Sequence, residues 1–170
     1  KRVGGGGASG RASFATWSVD DAEASETSLV AKTSDSKNAE QMFMGEALGL
    51  KAMRHTGSVR IPEVIGYGDG ATSGSFLVME LLNLGGRADA AEFGRAMARM
   101  HLAEPLAPEA RAGKFGFDVP NTIGGTAQPN AWCDDWVTFS ASSASATRCG
   151  SHRTAVSASS GTGCSTRPTG

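Results

Sequence analysis

AEQMFMGEALGLKAMRH, residues 39–55, is the stretch on which the fold of this chain turns. At about 100° per residue, Met42, Phe43, Ala47, Leu50 and Met53 fall on one stripe, the pattern of an amphipathic helix. Glu46 falls near the middle of that stripe. A carboxylate on a buried face is costly unless it is paired. The upstream candidate partner is Lys32, which closes the apolar run Leu29-Val30-Ala31. Gly57 follows the helix, where glycine commonly ends one.

Working outward, residues 13–19 alternate, with Ala15, Trp17 and Val19 on one side, and predict a strand. Residues 28–33 predict a second strand, ending with Lys32. Before both lies Gly4-Gly5-Gly6-Gly7, preceded by Lys1-Arg2-Val3, which reads as a short strand remnant. A dinucleotide-binding fold requires a helix directly after its glycines. A strand pattern follows here instead. Glycine loop, strand lysine and helix glutamate, in that order, form the nucleotide-holding half of a kinase. Glycine lacks a Cβ, so the loop amides can approach phosphate oxygens. The lysine contacts the α- and β-phosphates and the glutamate holds it in position. Each piece alone has a plainer reading. The glycines fit a terminus or hairpin turn, Lys32 fits a solvated strand end, and Glu46 becomes an edge residue if the helix is rotated.

Downstream, residues 61–68 read as extended, with Pro62 near the start, and residues 68–74 as a turn. Residues 76–82, Phe-Leu-Val-Met-Glu-Leu-Leu, are almost continuously apolar and suit a central strand. In a kinase the end of that strand, Glu80-Leu81-Leu82, is the hinge whose backbone groups hydrogen-bond the adenine edge; otherwise it is an interior strand running into a loop. Gly85-Gly86 then separates two lobes. Asp89 can cap a helix with Phe93, Ala96, Met97, Met100 and His101 along one face, ended by Pro105 and Pro108. Residues 113–130 are loop-rich, and residues 132–139 open another helix. Asp134-Asp135 between Trp132 and Trp136 reads either as a catalytic pair or as acids favourable at a helix N-terminus.

From Ser140 to Gly170 the character changes. One large aliphatic residue, Val156, and no acidic residue remain, so this tail reads as disordered. A shifted reading frame in a GC-rich gene produces such a composition. With 16 Lys and Arg against 17 Asp and Glu, the chain has no basic face for nucleic acid and no polybasic membrane signal. No apolar run approaches the roughly 20 residues of a membrane span. Cys133, Cys149 and Cys164 are widely spaced and odd in number, giving neither a disulfide framework nor a zinc site and making a reducing compartment the default. The chain opens without Met, inside what reads as a domain, so the expectation is a cytoplasmic protein, or a plastid one if a targeting segment was lost.

Seven stretches, taken in order, resemble the fructosamine kinase (ketosamine-3-kinase) family, relatives of the aminoglycoside phosphotransferases. They are VGGGGASGRA, LVAKT, QMFMGEALGLKAMRHTGSVRIPEVIGYG, FLVMELLNLGGR, FGRAMARMHLAEP, KFGFDVPNTIGGTAQPN and WCDDWVTF. The segment from FGFD to DDW is specific, because ordinary protein kinases lack it. The resemblance implies an α+β, protein-kinase-like fold. Residues 1–84 are then the small lobe with its glycine loop, residues 85–139 the start of the helical lobe, and residues 140–170 the low-complexity tail. It implies ATP-dependent phosphorylation of the third-carbon hydroxyl of a ketosamine, such as fructoselysine or ribuloselysine on a glycated protein, followed by elimination that frees the amine. By motif, Gly4, Gly5, Gly6 and Gly7 carry over as the phosphate loop, Lys32 and Glu46 as the phosphate-holding pair, and Glu80, Leu81 and Leu82 as the adenine hinge. Mg2+ is expected for the family. Its ligands and the catalytic Asp belong to a His-Gly-Asp motif, a following Asn and a later Asp, and no His-Gly-Asp occurs here. The chain is therefore expected to hold nucleotide without transferring phosphate. Two alternatives stand beside this: a non-catalytic nucleotide-binding or scaffold remnant, and an aminoglycoside-type phosphotransferase. The truncated helical lobe further implies that Phe93, Met97 and Met100 lie exposed.

Overall fold

The computed structural model describes residues 13–20, 26–70, 74–83, 85–86, 89–123 and 126–148. The strand remnant at residues 1–3 and the glycines Gly4 to Gly7 lie outside the described residues. Two compact units are present, Lys1–Glu104 and Pro105–Gly170.

The first unit is a sheet with a helix on it. Strands β1 (Ser13–Asp20), β2 (Glu26–Ser34), β3 (Val64–Gly70) and β4 (Gly74–Glu80) form an antiparallel sheet in the order β1-β2-β4-β3. β4 is central, as its apolar run predicts, but it stops at Glu80, two residues short of that run's end. Its burial alternates: Ser75, Leu77 and Met79 are buried and the residues between them half-exposed. One face therefore meets the core and the other does not.

Helix α1 (Ala39–His55) packs on β3 and β4. Ala39, Phe43, Ala47 and Leu77 form the core, with Met42, Val64 and Tyr67 packed against it. The two alanines let the helix approach closely, and Phe43 fills the space between them. Phe43 and Leu77 are fully buried, each worth about 1.5–3 kcal/mol relative to exposure.

The buried line differs from the predicted one. Measured from Phe43 at about 100° per residue, Ala39, Ala47 and Leu50 lie within about 40°, while Glu46 and Met53 lie roughly 60–80° to one side. Met53 is accordingly exposed. Glu46 stands on the flank of the core stripe, not at its middle. The physical reason is the size of Ala39 and Ala47, which set the closest approach to the sheet and rotate the bulkier Met53 outward.

Gly57 ends α1 with φ 61°, and its N–H donates to the Arg54 carbonyl. Gly74 opens β4 with φ 70°, and a Cβ there would lie 2.4 Å from the Ser34 carbonyl oxygen. Only glycine fits that approach. Helix α2 (Ala90–Leu102) starts where predicted: the Asp89 carboxylate accepts from the N–H groups of Ala91 and Glu92 at 2.8 and 3.1 Å. None of its residues is buried, and Phe93 is 54% exposed.

The second unit contains the short helix α3 (Pro108–Arg111), a small hairpin of β5 (Asn121–Ile123) and β6 (Thr126–Gln128), and helix α4 (Trp136–Arg148). Its stretches 114–119 and 130–136 are closely pinned to each other. Phe115 and Cys133 exchange backbone hydrogen bonds at 2.8 and 2.9 Å. A Cβ on Gly116 would lie 2.8 Å from the Trp132 Cα. The Trp132 indole donates to Asp118 at 3.3 Å, and the buried Asn130 amide donates to the Val119 carbonyl at 3.3 Å. These contacts tie FGFD to Asn130 of QPN, and Trp136 of DDW meets the Phe115 ring edge-on with centroids 5.4 Å apart.

α4 runs into the stretch whose composition reads as disordered. The helix continues past Phe139 to Arg148, so residues 140–148 are helical. Asp135 supplies the reason: its carboxylate accepts from the Thr138 N–H at 2.7 Å and its carbonyl from the Phe139 N–H at 3.0 Å. Once a helix is nucleated, each added residue costs little, and the alanines at 141, 144 and 146 favour extension. Residues 149–170 lie outside the described residues.

Candidate functional site

Strand register places the site. Lys32 pairs across from Leu77, and Val30 from Met79. These four residues share the face on which α1 lies, because side chains alternate along a strand. From the flank of α1, the Glu46 carboxylate forms an ion pair with the Lys32 ammonium. The two side chains are 24% and 33% exposed. Each supplies the charge the other needs at a half-buried position, while the remaining exposure leaves the ammonium reachable from solvent. Rotation to the flank makes this possible, since a glutamate at the centre of the stripe would point into Phe43 and Leu77.

Beyond β4, the chain from Glu80 to Asn83 is held from two sides. The Leu81 N–H donates to the Ser28 carbonyl of β2 at 2.8 Å, and the Glu80 N–H donates to the Glu63 carbonyl at 2.8 Å. Glu80 pairs with Leu29, so its side chain lies on the face opposite Lys32. There one carboxylate oxygen pairs with Arg60 and the other accepts from the Glu63 N–H at 3.2 Å. That backbone N–H, then the Arg60 guanidinium, hold the Glu80 carboxyl below the usual carboxylate range, against the opposing effect of burial. Arg60, Glu80, Leu81, Leu82 and Asn83 line an open depression of about 460 Å3.

The structure thus joins Lys32 to Glu46 and sets Glu80, Leu81 and Leu82 at the end of the neighbouring strand. Gly4 to Gly7 lie outside the described residues. The Leu81 N–H is committed to Ser28 and the Glu80 N–H to Glu63. Val30 and Met79 were not singled out by sequence reasoning, although period-2 alternation from Lys32 identifies Val30. Arg60 and Ser28 had no local signal. Asp134 and Asp135 do not act as a pair: Asp134 lies 3.4 Å from the Lys114 ammonium and Asp135 caps α4. The Asp135 carboxyl is held low by its bonds to Thr138. Among the described residues, no three His, Cys, Asp or Glu side chains converge where a metal ion could sit, and no helix is long and apolar enough to cross a membrane.

A profile of the fructosamine kinase family matches residues 8–150. The chain belongs to the fructosamine kinase family. A chloroplastic protein-ribulosamine 3-kinase of Arabidopsis thaliana is 46% identical over 103 residues, which are 58% of this chain and 29% of that protein. The Mus musculus ketosamine-3-kinase is 35% identical over 127 residues, 64% of this chain and 41% of that protein. The chain therefore spans well under half the length of these fructosamine kinase relatives. A solved Haemophilus somnus structure, provisionally assigned as a fructosamine-3-kinase, matches 75% of this chain and 44% of its own at a TM-score of 0.57 and 24% identity. At that identity the match shows the fold alone, and the mixed helix–sheet architecture here is consistent with a kinase-like fold.

Proposed function

We propose that this chain carries the nucleotide-holding part of an ATP-dependent ketosamine 3-kinase. The observation that carries the reading is the Lys32–Glu46 ion pair on the core face of the sheet. In kinase chemistry the lysine neutralises α- and β-phosphate oxygens and the glutamate holds it there. Val30 and Met79 share that face and give an adenine ring an apolar surface. The Glu80 carbonyl and the Leu82 N–H serve its hydrogen-bonding edge, and Gly4 to Gly7 cover the phosphates. The second substrate is a small ketosamine or a glycated protein, phosphorylated at the third-carbon hydroxyl. The compartment is cytoplasmic or plastid, the latter in line with the named location of the Arabidopsis thaliana relative.

Transfer needs an Asp to orient the attacking hydroxyl and further side chains to hold magnesium. The 170 residues contain no His-Gly-Asp motif. The chain by itself then binds ATP without turning it over. The test is equilibrium binding of ATP to the purified chain, with terminal-phosphate transfer to a small fructosamine measured in parallel. Binding that is lost in Lys32→Ala, with no labelled product, is the expected result. ATP affinity unchanged by Lys32→Ala would remove the basis of the site, and labelled product would overturn the claim of inactivity.

A further inference from the structure

We infer that Arg60 is a positioning residue for the nucleotide hinge, acting through the side chain of Glu80. The inference rests on the reading of residues 80–82 as the adenine edge. The Glu80 carboxylate lies on the face opposite Lys32, so it is turned away from the phosphate-holding pair. Both its oxygens are nevertheless engaged, one by Arg60 and one by the Glu63 N–H. Arg60 also donates to the Ile61 carbonyl at 3.2 Å. The same carbonyl accepts from Arg54 at 2.9 Å, and Arg54 pairs with Glu63 at 3.1 Å. Arg54 belongs to the last turn of α1. The chain of contacts therefore runs from the helix that carries Glu46, through residues 60–63, to the first residue of the hinge.

Its location explains its purpose. β4 ends at Glu80, and Leu82 and Asn83 lie beyond the ladder. A segment leaving the end of a strand opens locally at low cost unless something else restrains it. Ser28 restrains Leu81 from the β2 side. Arg60 and Glu63 restrain Glu80 from the other side, so its carbonyl keeps the direction that the adenine edge requires. The Arg60 side chain is 60% exposed, so the pair adds little to global stability. Its effect is on local direction.

The experiment compares Arg60→Ala, Arg60→Lys, Glu80→Gln and the double variant Arg60→Ala/Glu80→Gln in the full chain. It reads affinity for ATP, affinity for inorganic tripolyphosphate, and hydrogen exchange of the Glu80 and Leu81 amides. In Arg60→Ala and Glu80→Gln, ATP affinity is expected to fall about five- to tenfold, the double variant falling no further, because the two residues act as one unit. Tripolyphosphate affinity stays at the parent value, since Lys32 and Glu46 are untouched. Exchange at Glu80 and Leu81 accelerates while that of Leu77 does not. Arg60→Lys recovers part of the loss, keeping the charge but not the planar fork. Equal losses of ATP and tripolyphosphate affinity, or unchanged ATP affinity, would overturn the inference. If the parent chain binds no ATP, the nucleotide reading fails on its own. Exchange then decides the brace: acceleration confined to the hinge supports it, and unchanged exchange refutes it.

Discussion

Lys32→Met and Glu46→Gln, made singly and together, test the contact on which the site depends. The pair lies between two regimes. Exposed ion pairs couple by roughly 0.2–1 kcal/mol, whereas breaking a buried one costs about 3–5 kcal/mol. With side chains 24% and 33% exposed, solvent screens much of the attraction, and the expected coupling is about 1 kcal/mol. Each single change should lower Tm by roughly 4–8 °C in a unit of about 100 residues. The double variant should lie near the singles, since the second change removes a charge already unpaired. Added salt should shrink the coupling only in part, because the pair is half-shielded. Nucleotide binding should respond more strongly. Losing a charged hydrogen bond to phosphate is worth about 1.5–3 kcal/mol, or roughly ten- to a hundredfold in Kd. Denaturation of the four proteins gives the coupling, and ATP titration gives the affinity. Strictly additive stability changes, with a coupling under about 0.3 kcal/mol, together with unaltered ATP affinity in all variants, would refute the reasoning.

Four further outcomes follow from particular residues. Gly74→Ala should destabilise the first unit by more than about 1–2 kcal/mol in urea unfolding, the left-handed backbone cost alone, because its Cβ also meets the Ser34 carbonyl. The lowered pKa of Glu80 means its contribution is fully present above the ordinary glutamate value and is lost as pH falls through the folded value; carboxyl NMR should show that midpoint rise in Arg60→Ala. Phe93→Glu should reduce self-association in sedimentation velocity, since Phe93 is exposed on a helix with no buried residue. Asp135→Ala should fray the start of α4 and lower the helical circular dichroism signal, with little change in the first unit, because it removes the acceptor for the Thr138 N–H.

Much of the fold was legible from local pattern. Alternation marked β1, apolar runs marked β2 and β4, the 3.6-residue period marked α1 and α2, and Asp89 and Gly57 marked the start of α2 and the end of α1. These features are local, and a neighbour within four residues is enough to encode each. The candidate site was legible as an order, strand lysine before helix glutamate. The exact rotation of α1 was not, because it depends on how closely Ala39 and Ala47 approach the sheet. Composition alone gave no sign of how far α4 runs; the helix, with Asp135 at its start, extends to Arg148.

By itself, the chain's order of residues determined that a lysine-bearing strand precedes a glutamate-bearing helix and that an apolar strand follows both. Only tertiary structure decided that Glu46 reaches Lys32 from the flank of the core, that Ser28 takes the Leu81 N–H, and that Arg60 meets Glu80 twenty residues away. The physical reason is range: burial imposes a repeating pattern on neighbouring residues, whereas a contact between two distant polar groups leaves no periodic trace in either.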